Sequence, residues 1–290
     1  MIWLIGNKGM LGTELSRVFE SHGIHYVGTD RDVDITSERA VSDFIDAYSG
    51  VDKIDWIVNC AAYTAVDKAE DDQALCERLN VTGPAIVAKA AKAAGARMIH
   101  ISTDYVFNGN GNRPYREDDP TDPTGFYGLT KRDGENAALA VNDRIYIVRT
   151  AWLYGQYGKN FVKTMLTLMN EKERISVVND QRGAPTWAFD LAEAIAAFIV
   201  SKSDIPFGIY HFSDLGDISW FDFAQAIYRL GRAKGLIRNE CAVMPCSSAE
   251  YPSRVRRPPY SVLDKTKIQK ELHMTIPAWE ESLSKYLDIK

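Results

Sequence analysis

The chain has little that would point to metal chemistry or to an oxidising compartment. Cys60, Cys76, Cys241 and Cys246 are its four cysteines in 290 residues, and no two form a Cys-x-x-Cys pair. None of the five histidines stands at metal-ligand spacing from them. They read as reduced thiols, with Cys60 buried at a strand end. No apolar run approaches the roughly 20 residues of a membrane-spanning helix. The opening run Met1–Ile5 is short and meets Gly6 at once, which predicts a buried strand rather than a signal peptide. Cationic runs are missing too. The net charge is −5, and Arg254, Arg256 and Arg257 form only a small late cluster. That balance argues against nucleic acid and anionic membrane surfaces as partners but leaves anionic small molecules open. No repeat or low-complexity linker is visible, and the expected location is cytoplasmic.

What remains is an ordinary globular composition, 46% hydrophobic and 25% charged, on a chain long enough for a large core. The first strand is followed by Gly6-x-x-Gly9-x-x-Gly12, with Met10 and Leu11 between the last two glycines. Leu11, Leu15, Val18 and Phe19 then fall on one helical face. Glycines in a strand–turn–helix setting let a pyrophosphate approach the backbone and sit on the helix amides. A second strand, His25–Thr29, ends at Asp30, which is placed to bind an adenosine ribose. Arg31 follows and suits a 2′-phosphate instead, so NADPH and NADH both stay open. Asp34 and Ile35 are candidates to border the adenine, with a plain helix cap at Asp34 or Thr36 as the competing reading.

A third strand, Asp55–Cys60, delivers Ala61, Ala62 and Tyr63, small or flat residues beside which a cofactor ring can lie. Helices are expected over Ala65–Asn80 and Gly83–Ala94, then a strand over Arg97–Ser102 that delivers Thr103. Strands alternating with helices predict an α/β fold with a doubly wound parallel sheet, whose ligands bind beyond the strands' carboxyl ends. Residues 108–125 read as a loop, Tyr127 opens a helix, and Arg144–Thr150 is a further strand. Later elements are expected at Asn160–Asn170, Ile175–Val178, Asp190–Val200, Ile209–Phe212, Trp220–Leu230 and from about Pro277. This gives a dinucleotide-binding domain over 1–150 and a smaller substrate-binding lobe over 151–290, with about 186–200 packing back on the first.

Tyr127 and Lys131 are four apart and share one helix face. A neighbouring ammonium favours phenolate, so Lys131 is expected to draw the Tyr127 phenol toward neutrality. Such a phenol can protonate a carbonyl oxygen as it is reduced. Ser102 or Thr103 offers a second hydroxyl to the same oxygen.

These motifs together resemble the extended short-chain dehydrogenase/reductases, a Rossmann-type family. Residues 61–70 (AAYTAVDKAE), 149–154 (RTAWLY) and 179–186 (NDQRGAPT) resemble the dTDP-4-dehydrorhamnose reductase branch, and the likeness spans essentially the whole chain. The resemblance implies reduction of the C4 carbonyl of dTDP-4-dehydro-L-rhamnose by NADPH or NADH. It implies Tyr127 as proton donor, Lys131 tuning it and holding the nicotinamide ribose, and Thr103 orienting the carbonyl. It further implies that Val66, Asp104, Tyr105 and Trp152 border the sugar, that Gln181, Gly183, Pro185 and Thr186 line the nucleotide-sugar, and that Arg257 meets its diphosphate or base. Some relatives dimerise through magnesium. Glu14 matches one carboxylate position, but Phe189 and Ile289 occupy others, so no metal bridge is expected, and the chain should be a monomer or weak homodimer. Nucleotide-sugar dehydratases carry Thr-Asp-Glu where this chain has Thr103-Asp104-Tyr105, which disfavours elimination. A nucleotide-sugar epimerase, and a non-catalytic subunit like the regulatory subunit of methionine adenosyltransferase, remain the alternatives.

Overall fold

The computed structural model describes residues 1–50, 52–251 and 253–289. The first half alternates β1 (Ile2–Ile5), α1 (Met10–Ser21), β2 (Tyr26–Thr29), α2 (Glu38–Asp46) and β3 (Trp56–Asn59). Next, α3 (Gln73–Glu77) runs through a π-helical turn, Arg78–Thr82, into α4 (Gly83–Ala94). β4 (Arg97–Thr103), α5 (Phe126–Val141) and β5 (Ile145–Thr150) follow. After these come β6 (Leu153–Tyr154), α6 (Phe161–Glu171), β7 (Arg174–Val178), β8 (Arg182–Gly183), β9 (Thr186–Trp187) and α7 (Ala188–Val200). The chain continues with β10 (Gly208–Phe212), β11 (Ile218–Ser219), α8 (Trp220–Ala233), β12 (Ala242–Cys246), α9 (Thr266–Leu272) and α10 (Trp279–Asp288).

Six strands form one sheet in the order β10-β5-β4-β3-β1-β2, every neighbouring pair parallel. Parallel strands covered on both faces must be apolar on both, and β1 is buried at all four positions. Alternate side chains divide between the faces. Ile2, Leu4, Val58, Ile99 and Val148 meet Leu15 and Val18 of α1 and Leu191 and Ile195 of α7. Trp3, Ile5, Ile57, Met98 and Ile147 meet Val87, Ala88 and Ala91 of α4 and Ala138 of α5. The chain leaves β1 for one edge and returns to the other side through β3. The carboxyl ends of β1 and β3 therefore flank the point where strand order reverses, where ligands of such sheets bind.

Two of these pieces come from beyond residue 150, since β10 pairs with β5 and α7 packs on α1. A second apolar core gathers Val162, Met165 and Met169 of α6, Phe223 and Ile227 of α8, and Leu283 and Tyr286 of α10 around the paired β7 and β12.

The helix expected over 65–80 differs. Val66–Lys68 is a single 3₁₀ turn, and α3 begins only at Gln73 but does not stop before α4. Pro84 has no N–H to give the carbonyl of Asn80 and would crowd it in a regular helix, and the widened π turn accommodates it. All four cysteines are free, Cys60 only partly buried. Among the described residues no helix is long and apolar enough to cross a membrane.

Candidate active site

The cradle at the end of β1 is built from backbone. Gly6 has φ +78°, the left-handed region that glycine tolerates, and its N–H donates to Thr29 O at 2.7 Å. A Cβ on Gly12 would stand 2.1 Å from Gly6 O, so α1 closes on the turn only because that position is bare. Gly9 caps α1 without a side-chain bond, which leaves the first-turn amides by Met10 and Leu11 without a side-chain acceptor. A pyrophosphate suits that arrangement, because the helix N-terminus carries partial positive charge.

Asp30 follows β2 half-buried, its N–H donating to Asp32 Oδ1 at 2.7 Å, and Arg31 beside it is exposed. Asp34 Oδ1 accepts from Thr36 N and Oγ1 at 2.9 and 2.7 Å. Neither residue caps α2. Ser37 does, accepting from Ala40 N. The Ile35 side chain is buried against Gly83, within the core. Ala61 and Ala62 leave β3 at the same edge, Ala61 N–H donating to Asn59 Oδ1 at 3.1 Å. Tyr63 is held at both backbone ends by Asn80, at 2.8 and 3.2 Å.

Alternation along β4 separates the two candidate hydroxyls. Ser102 Oγ turns inward to Glu135, whose carboxylate also takes the buried Arg149 guanidinium at 2.6 Å. Thr103 Oγ1 instead reaches the sheet edge, donating to Asp104 Oδ1 at 3.0 Å and accepting from Tyr105 N at 3.3 Å. Asp104 is buried, which pushes its carboxyl up to about 6. Tyr127 lies in the first turn of α5, packed with Ala69 and Cys76 and edge-on to Tyr105 at 5.6 Å between ring centroids.

The expected direction of the Tyr127 shift is reversed. Burial raises the phenol above its ordinary value, and the nearby Thr103 hydroxyl only partly opposes this. The Lys131 ammonium, aimed at β4, does not overcome that burial. Nζ donates to Ile101 O at 2.7 Å and lies 3.4 Å from His100 Nε2. Lys131 is itself 2% exposed, and burial draws it down to about 8 against the opposing charge of Glu135. α5 is held by its next residue too: Thr130 Oγ1 donates to Tyr127 O at 3.0 Å and accepts from Asn80 Nδ2 at 3.1 Å.

Val66 and Tyr105 pack on the Tyr127 cluster. The Arg257 guanidinium donates to Tyr105 Oη at 2.7 Å and to Asp67 Oδ2 at 3.0 Å, which brings it onto the same wall. Trp152 has φ 49° and stacks on Trp220 at 3.6 Å between centroids, with Gly183 tight against its ring. The remaining expected residues are engaged internally. Gln181 Nε2 donates to Ser248 Oγ at 2.9 Å, and Thr186, fully buried, donates to Ala151 O at 2.6 Å. Pro185 O accepts from Asp214 N at 3.1 Å. Asp67, Asn80, Glu135 and Trp220 escaped the sequence reading. Glu135 alone carried a local signal, standing one turn beyond Lys131. Glu14 is buried on α1, with Arg17 at 3.5 Å and burial raising its carboxyl. Among the described residues no group of three or more His, Cys, Asp or Glu is placed to hold a metal.

Fold and site together define a Rossmann-type α/β protein of the short-chain dehydrogenase/reductase class. The chain belongs to the family described as RmlD substrate binding domain, whose model matches residues 1–290. It is 43% identical over 270 residues to a dTDP-4-dehydrorhamnose reductase of Streptomyces griseus, covering 91% of this chain and 86% of that one. It is similar to the crystal structure of a dTDP-4-dehydrorhamnose reductase from Clostridium acetobutylicum, with TM-score 0.91, 39% identity and coverage of 99% and 98%. A Bacillus anthracis dTDP-4-dehydrorhamnose reductase solved in complex with NADP matches with TM-score 0.92 and 34% identity, covering 100% of this chain and 99% of that one.

Proposed function

We propose that the chain reduces the C4 carbonyl of dTDP-4-dehydro-L-rhamnose to give dTDP-L-rhamnose, with NADPH or NADH as the second substrate. The observation that carries this reading is the buried Tyr127 phenol beside Thr103 Oγ1 at the sheet edge, with Lys131 one turn further along α5. Family membership and the names of relatives at 34–43% identity support the choice of sugar nucleotide. The glycine cradle would hold the pyrophosphate, Asp30 and Arg31 the adenosine ribose, and Ala61, Ala62 and Tyr63 the wall beside the nicotinamide. A bound reduced nicotinamide supplies the hydride.

The protein's own groups do the rest. A phenol raised by burial is fully protonated at neutral pH, the form needed to donate to the alkoxide that develops on C4. Thr103 Oγ1 hydrogen-bonds the same oxygen and fixes its position. Tyr127 is left as phenolate, and the Lys131 ammonium stabilises it. Val66, Tyr105 and Trp152 border the sugar, and Arg257 faces the anionic diphosphate with Asp67 as its resting partner.

Tyr127→Phe tests the reading. It keeps the ring and removes the proton, so turnover should fall about 10²-fold or more while nucleotide binding persists. Near-normal turnover in that variant overturns the role given to Tyr127.

A further inference from the structure

One buried titratable side chain next to Lys131 has no part in the steps above. His100 is fully buried in the middle of β4. Its Nδ1 lies 3.2 Å from Asn59 Nδ2 on β3, and its Nε2 lies 3.4 Å from Lys131 Nζ. Asn59 is also fully buried, and its Oδ1 accepts the Ala61 N–H at 3.1 Å. That backbone bond decides which end of the amide is oxygen, so the amide nitrogen, a donor only, faces Nδ1. A neutral imidazole has one donor and one acceptor nitrogen. Nδ1 must therefore accept, and the ring proton sits on Nε2, pointing at Lys131. An ammonium has donors and no acceptor, whereas an amine can take that proton's hydrogen bond. The Ile101 carbonyl accepts from Lys131 in either state.

We propose that Asn59 locks His100 in the Nε2–H tautomer, and that His100 thereby acts as a positioning residue that biases Lys131 toward its amine form. This deepens the function proposed above and rests on it, since it concerns the group that stabilises the Tyr127 phenolate. The other groups bearing on Lys131 are Glu135 on its own helix, Cys60 at the end of β3 and Cys76 of α3. Glu135 favours the ammonium, but its charge is largely taken by Arg149. Cys60 is pushed up to about 12 by burial and Cys76 is raised, so neither brings negative charge at neutral pH. Burial and the Lys131 charge hold His100 well below the usual imidazole range, which keeps the ring neutral as the tautomer argument requires. Because Ala61 lines the nucleotide loop, the same chain of bonds ties that loop to the state of Lys131.

Two measurements test this. Nitrogen-15 NMR of histidine-labelled protein reads the tautomer directly, His100 being assigned by elimination after single substitutions of the other four histidines. A protonated Nε2 with a bare Nδ1 near neutral pH is expected, and a protonated Nδ1 overturns the proposal. The second is the pH dependence of kcat for sugar-dependent oxidation of NADPH, in wild type, His100→Gln and Asn59→Leu. Glutamine can turn its oxygen to the ammonium, and loss of Asn59 frees His100 to present a bare Nε2. Both variants should move the alkaline limb about one pH unit higher. A limb that stays in place in a folded variant overturns the proposal, and if neither variant folds the wild-type NMR measurement decides it. Wild-type protein that turns over no sugar would instead refute the functional reading, while the tautomer measurement still decides between lock and no lock.

Discussion

Gly128→Ala is the most informative single substitution, because it changes the spacing of the site without touching a reacting group. Gly128 follows Tyr127 in the first turn of α5. A Cβ there would stand 2.2 Å from the carbonyl oxygen of Tyr105, 3.0 Å from its carbonyl carbon and 3.1 Å from Pro123 Cβ. An ordinary C···O contact is about 3.3 Å. Both sides of the closest contact are backbone, so no side chain can swing clear, and the two segments must separate by roughly 1 Å. Thr103 and Tyr127 stand on opposite sides of that gap. Misplacing catalytic groups by about 1 Å costs on the order of 10²-fold in rate. Overpacking destabilises by about 1–3 kcal/mol, and the better helix propensity of alanine returns about 1 kcal/mol. Stability should therefore change modestly while turnover falls steeply. The assay is sugar-dependent loss of reduced-nicotinamide absorbance alongside thermal unfolding. Gly50→Ala serves as the control, since a Cβ there meets nothing within 4 Å. Wild-type turnover in a folded Gly128→Ala protein would refute the claim that this close approach sets the Thr103–Tyr127 spacing.

Other consequences are equally direct. Glu135→Gln strands the buried Arg149 guanidinium, so urea unfolding should show a loss of about 3–5 kcal/mol; a loss under about 1 kcal/mol would contradict the pairing. Asp214 is buried beside Asp190, and burial raises its carboxyl well above the ordinary range. The folded state thus holds a proton that the unfolded state has released, and stability falls as pH rises from the ordinary carboxylate range toward the raised value. Asp214→Asn should remove that fall, melting higher than wild type at pH 8 but not at pH 4; equal differences at both would contradict it. Lys131, drawn down to about 8, should impose an alkaline limb on kcat of the reduction as it loses the charge proposed to stabilise the Tyr127 phenolate. A pH profile that is flat through that region would contradict its role.

What could be read from the sequence was local. Gly6, Gly9 and Gly12 announce their turn because only bare positions let α1 close on β1, and a helix face brings Tyr127 and Lys131 into register. Thr103 and Ser102 were not separable until the alternation of β4 sent one to the edge and the other to Glu135. The Tyr127 shift runs opposite to the expected direction because spacing reports neighbours, whereas burial by Ala69, Cys76 and Tyr105 is a property of the assembled site. Asn59–His100 and Asn80–Tyr63 join residues 41 and 17 apart, contacts that no short-range pattern encodes. β12 passed unnoticed because Ala242, Met244 and Pro245 are exposed and leave no apolar period to find.

The central claim is reduction of a dTDP-linked 4-keto sugar through the Tyr127 proton. Its most direct test holds purified protein with dTDP-4-dehydro-L-rhamnose and follows oxidation of NADPH and NADH in parallel, with and without the sugar. Oxidation that requires the sugar, yields dTDP-L-rhamnose and is lost in Tyr127→Phe is the predicted result. Nucleotide binding without sugar-dependent oxidation by either cofactor would contradict it.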